Sequence, residues 1–154
     1  MLSKKEWYAD SYDLLRSFMI KKTDNYLHSE ITELILKAYF TVYNKLGYGF
    51  LERVYENAMM IELKRLGLLC EKQKQLNVSY DGLIIGEYYA DIIVNECVII
   101  ELKAAENLCP EHECQLVNYL KASEIEVGML LNFGKRPEFK RRVLTAEYKN
   151  LNKS

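Results

Sequence analysis

The sequence predicts a mixed-sheet α/β (α+β) fold that runs as helices, three strands, a helix and one further strand, and three observations predict it. Between Ser29 and Leu66 apolar residues recur at helical spacing, and from Glu71 onward the spacing drops to two. A helical stretch opened by Pro110 then separates those strands from one continuous apolar run, Val127 to Phe133. The 154 residues suffice for one domain with a substantial core and are too few for two ordinary ones.

The first 25 residues read as an accessory helix, because Tyr8, Tyr12, Leu15, Phe18 and Met19 recur at helical spacing before the polar Lys21–Asn25 stretch breaks the pattern. The core, residues 29–144, starts with Ser29 as an N-cap. Glu30 and Glu33 lie near the positive end of the helix dipole, and Ile31, Leu34, Ile35, Ala38, Tyr39, Val42 and Leu46 form one apolar face that Gly47 ends. A second helix is expected from about Leu51 to Leu66, stopped by Gly67. Leu76, Val78 and Tyr80 then alternate with polar residues, Asp81-Gly82 is a hairpin signal, and Leu83–Tyr89 returns. Ile92–Val94 and Val98–Leu102 flank the polar Asn95-Glu96 break, as a further strand or a continuation of the second. The Pro110 helix carries Cys114, Leu116, Val117 and Leu120, and Gly134 closes the last buried strand. The tail from Pro137 to Val143 is open between a helix and an edge strand, with the strand preferred.

With 49% apolar and 28% charged residues the chain is a folded protein rather than a disordered or fibrous one. No stretch approaches the roughly eighteen apolar residues that span a bilayer, and Met1–Asp10 lacks an apolar signal core, so a cytoplasmic location is expected. Cys70, Cys97, Cys109 and Cys114 lack the paired spacing of a zinc ribbon and are expected as reduced thiols. Cys109, His112 and Cys114 crowd together and would offer a metal three ligands, yet they straddle a helix start without a fourth partner. A net charge of -1 excludes coating of nucleic acid by bulk electrostatics, so any such site must be local.

Glu101 and Lys103 stand two apart on an apolar strand, so their side chains share one face while Ile100 and Leu102 take the other. Burying an acid and an ammonium at a core edge needs compensation, which a divalent cation with bound water or phosphate supplies. An Asp91 placed opposite Glu101 would repel it unless a cation lay between, and hard oxygen ligands select Mg²⁺ or Mn²⁺. The pairing makes a demand on register. It centres the turn on Glu96, so the loop must hold an odd number of residues; a plain two-residue turn would put Asp91 opposite Ile100. The short acid-x-Lys pattern also occurs at Glu62–Lys64, Glu138–Lys140 and Glu147–Lys149, so its context selects it.

At this point the chain resembles the GxxExxY family within the PD-(D/E)XK nuclease superfamily. The naming motif stands as Gly49-Phe50-Leu51-Glu52-Arg53-Val54-Tyr55, followed by Asp91, Val98-Ile99-Ile100-Glu101-Leu102-Lys103-Ala104, the Gln115–Lys121 helix and Gly128–Gly134. The resemblance covers about residues 30–144. It implies Asp91 and Glu101 as metal ligands with the Leu102 carbonyl as a third, Lys103 aligning or activating water, and Glu52 completing the acidic set. Glu52 and Tyr55 share a helix face, so both are expected to look toward the site. Gln115 and Tyr119, one turn apart, would orient Lys103 or touch the nucleic-acid backbone. Two departures stand out: Tyr89 and Ala90 precede the Asp where a basic residue is expected, and Tyr43 replaces a histidine.

The function this implies is metal-dependent hydrolysis of phosphodiester bonds in DNA or RNA. Lys135, Arg136, Lys140, Arg141 and Arg142 are the expected phosphate-tracking residues. The alternatives are a non-catalytic binding module that keeps the fold, or a structural subunit whose N-terminal helix docks on a second copy or another chain.

Overall fold

The structure, a computed structural model, describes residues 27–151. Two helices, α1 (Ser29–Leu46) and α2 (Glu52–Arg65), precede strands β1 (Cys70–Tyr80), β2 (Leu83–Val94) and β3 (Val98–Lys103). Helix α3 (Pro110–Lys121), strands β4 (Val127–Phe133) and β5 (Pro137–Val143), and a short α4 (Ala146–Leu151) complete the order. Residues 152–154 and the expected accessory helix lie outside the described residues. No helix among those described is long and apolar enough to cross a membrane.

Local chemistry accounts for most boundaries. Helix α1 starts one residue earlier than expected: His28, with φ 56°, takes the N-cap place that the sequence assigned to Ser29, and no side-chain hydrogen bond caps it. Pro110 opens α3, where its missing N–H costs nothing. Asp81 and Gly82 both adopt positive φ, 51° and 79°, which matches the twist of the β1–β2 hairpin. The Ile92–Val94 stretch belongs to β2, and Pro137–Val143 is an edge strand.

The five strands lie in sequence order, antiparallel except for β3 and β4, which run parallel and are joined through α3. Strand β3 is central and apolar on both faces over its first half. Val98, Ile100 and Leu102 pack with Tyr39, Tyr43, Met59 and Leu63 of α1 and α2, while Ile99 packs with Leu116 and Leu120 of α3. Gly128 lets α3 approach β4 closely, since a Cβ there would lie 2.6 Å from a Leu116 methyl carbon. Tyr43 is fully buried, stacks on Phe133 and donates its hydroxyl to the Gly134 carbonyl, so it serves the core.

Candidate active site

Asp91, Glu101 and Lys103 meet where the β2–β3 ladder ends. The register runs Ile92↔Ile100, Ile93↔Ile99 and Val94↔Val98, so Asp91 falls opposite Glu101. The three-residue loop that sets it is Asn95-Glu96-Cys97, as the odd-loop demand requires. Asn95 and Glu96 take φ of 48° and 56°. Asn95 is held there by a two-way exchange with Leu69, through its own N–H at 2.7 Å and its side-chain oxygen at 2.8 Å.

Beyond Asp91 the strands part, and side chains take over the main-chain donors. The Leu102 N–H donates to Asp91 Oδ2 at 2.8 Å, and the Asp91 N–H donates to Glu101 Oε1 at 3.1 Å. Gln73, opposite Asp91 in the β1–β2 register, does not pair with it because its φ is 54°, and this interrupts the ladder. Since N–H and C=O of one strand residue point the same way, the Leu102 carbonyl also faces the opening. The result is a fork with a carboxylate on each tine.

Only 3% of Glu101 is exposed. Burial, then the Asp91 charge and more weakly that of Glu52, push its carboxyl from an ordinary 4.5 up to about 9, against the lowering effects of the Asp91 N–H and Lys103. Asp91 is raised by burial and by Glu56, against the Leu102 N–H, Lys103 and Gln73. Lys103 donates to Gln115 Oε1 at 2.9 Å, and Gln115 Nε2 donates to Tyr119 Oη at 2.9 Å. Burial and the nearby Glu101 charge raise Tyr119. Among the described residues neither Asp91 nor Glu101 forms an ion pair with a cationic side chain.

This donor set fits a hard divalent cation: two inward, mutually repelling carboxylates with a strand carbonyl beside them. No group of three His, Cys, Asp or Glu side chains among the described residues is clustered to hold a metal, so Glu52 is not drawn in as a third carboxylate ligand. It sits exposed at the start of α2, near enough for its charge to act on Glu101. His112 instead closes the start of α3, accepting the Cys109 N–H at 3.2 Å, and all four cysteines are free thiols.

Other expected residues go elsewhere. Tyr55 is fully buried, stacked on Phe133 at 4.1 Å, and its hydroxyl bridges the Gly47 carbonyl and the Phe50 N–H. It holds the loop that starts α2 and has no surface left for substrate. The five basic residues do not form one footprint. Lys140 and Arg142 pair with Glu113 of α3, strand alternation sends Arg141 to the opposite face, where it donates to the Leu27 carbonyl, and Lys135 and Arg136 stand exposed at the β4–β5 turn.

Two residues were missed. Gln73 Nε2 donates to the buried Glu56 at 2.8 Å and reaches Asp91 Oδ1 at 3.4 Å, linking α2 to the fork. Glu56 carried a signal, since it lies three before Met59 and seven before Leu63 on the buried stripe of α2. Gln73, in the polar Glu71–Gln75 run, carried none.

Fold and fork together define an α/β protein whose mixed sheet opens at its centre on two acids and a lysine. The chain belongs to the PD-(D/E)XK nuclease superfamily, whose model matches residues 29–143. Among solved structures it is similar to the crystal structure of SSO0001, at 16% identity and a TM-score of 0.48, over 93% of this chain and 83% of that one. No curated protein matches it.

Proposed function

We propose that this chain is a nuclease of the GxxExxY group that hydrolyses phosphodiester bonds of DNA or RNA with Mg²⁺ or Mn²⁺ held by Asp91, Glu101 and the Leu102 carbonyl. One observation carries the reading: Asp91 and Glu101 face each other across an opened ladder, and among the described residues neither is ion-paired with a cationic side chain. A divalent cation bound there supplies Lewis acidity toward the phosphate and acidifies water.

The chain's own groups do the rest. Lys103, anchored by Gln115, presents a fixed ammonium beside the carboxylates, where negative charge develops as a water oxygen bonds to phosphorus and the ester oxygen departs. The Leu102 and Asp91 N–H groups fix the two carboxylates so that neither must reorganise. Gln73 ties Asp91 to Glu56 and keeps that side of the fork in place.

The test is incubation of purified protein with DNA and RNA substrates in Mg²⁺, in Mn²⁺ and in chelator, beside Lys103→Ala. Metal-dependent cleavage lost in the variant is the expected result. Equal cleavage by both proteins removes the assigned mechanism, and metal-independent binding without cleavage by either points to a non-catalytic module.

A further inference from the structure

A groove of about 640 Å³ runs between the β1–β2 arm and α3 and adjoins the fork through Gln115. Its volume lies in the roughly 300–1,000 Å³ range of small-ligand sites. Val78 and Tyr88 line it from the arm, and Gln115, Asn118, Tyr119 and Lys121 from the helix. Tyr88 lines the groove, is 49% exposed, and its ring lies 5.7 Å from that of Tyr119, tilted at 52°. The groove and the fork share residues: Tyr119 holds Gln115, and Gln115 holds Lys103.

We propose that this groove is a nucleobase site, so that the nuclease acts on single-stranded or locally unpaired nucleic acid. The inference rests on the phosphodiesterase reading of the fork. In a duplex the base faces are covered by their neighbours, so a base that stacks on a tyrosine ring in this groove must first leave its own stack. Phosphate tracking is a poor source of affinity here, because the net charge is -1 and Lys140 and Arg142 are committed to Glu113. Stacking is independent of net charge and tolerant of sequence. The exposed Asn118 amide can both donate to and accept from a base edge, and Lys121 at the rim suits the adjoining phosphate.

The probe is a fluorescent pyrimidine oligomer of roughly 12 nucleotides carrying one 2-aminopurine, made as DNA and as RNA, free and annealed to its complement. Binding is measured by anisotropy in chelator, where no cleavage intervenes. Single strands should bind about 10-fold or more tightly than duplex and quench the 2-aminopurine, and Tyr88→Ala should lose about 10-fold of that affinity while Tyr88→Phe keeps it. The DNA and RNA arms show which backbone is preferred. A thermal melt establishes that Tyr88→Ala is folded; if it is not, Asn118→Ala and Val78→Asp carry the same expected loss. Equal affinity for single strand and duplex, or unchanged affinity in the folded variants, overturns the proposal. A protein that binds unpaired bases through Tyr88 yet cleaves nothing in Mg²⁺ keeps the groove and loses the nuclease reading.

Discussion

The two ends of β3 are built to opposite specifications. Over Val98–Ile100 the strand is paired on both sides and apolar on both faces. Over Glu101–Lys103 it keeps β4 but loses β2, and one face turns from Ile99 to an acid and a lysine. The change of side chain and the end of the ladder coincide for a physical reason. Where the backbone is paired, a buried carboxylate finds no donor and is costly; where the ladder opens, freed N–H groups must be satisfied and carboxylates can satisfy them. The charged site therefore occupies the one stretch of the central strand where main-chain donors are available, and the apolar end holds it rigid.

The largest effect should come from moving one end relative to the other. Deleting Ile93 while the Asn95-Glu96-Cys97 loop keeps Val94 against Val98 sets Asp91 opposite Ile100, so cleavage should fall below detection, beyond the roughly 10²–10³-fold loss of a single stabilising group. Glu96→Gly keeps the loop length and suits the φ of 56°, so its cleavage should match wild type. Retained activity in the deletion would break the link between register and site. Next in size, Lys103→Ala should lower kcat by about 10²–10³-fold with little change in thermal midpoint, because the half-buried ammonium serves the open end alone.

At the open end, stability should respond to pH through Glu101. Glu101 holds its proton in the folded metal-free protein up to about 9 but releases it near 4.5 when unfolded. Its protonation thus supports the fold fully below 4.5, and that support drains away as pH rises toward 9. Glu101→Gln does not titrate, so in chelator its stability relative to wild type should rise from pH 4 to pH 8 by about 1–3 kcal/mol, or several degrees in midpoint. Parallel pH profiles for the two proteins would show that Glu101 is not desolvated as described. Added Mg²⁺ at pH 8 should raise the wild-type midpoint more than that of the variant.

The apolar end was the more legible one from sequence. Apolar runs bounded by polar breaks and the Pro110 helix start place β3, β4 and α3, and the odd loop that an Asp91–Glu101 pairing demands is met by Asn95-Glu96-Cys97. What escaped depends on contacts between distant residues. Tyr55 shares a helix face with Glu52, yet its ring is buried on Phe133 while Glu52 at the helix start stays exposed. The basic cluster of β5 looked continuous in sequence, but a strand divides neighbours between two faces. Gln73 lies eighteen residues from Asp91, and its positive φ has no mark in a run of polar residues.

The smallest effect sharpens the comparison most, because it separates a charge from its placement. Gln115 is a positioning residue: its side-chain oxygen fixes Lys103 and its amide N–H₂ leans on Tyr119. Gln115→Ala leaves the ammonium in place but frees it to sample other rotamers, so kcat should fall by about 10-fold with KM little changed, less than the loss of the charge itself. Gln115→Glu keeps an oxygen acceptor for Lys103 while giving up the donor to Tyr119, and should recover most of that loss. A residue that merely packed α3 against the sheet would be disturbed alike by both changes and would show it in the thermal midpoint. Rescue by Glu in kcat, at unchanged midpoint, is the outcome that assigns the open end its own order, set by hydrogen bonds where the other end is set by packing.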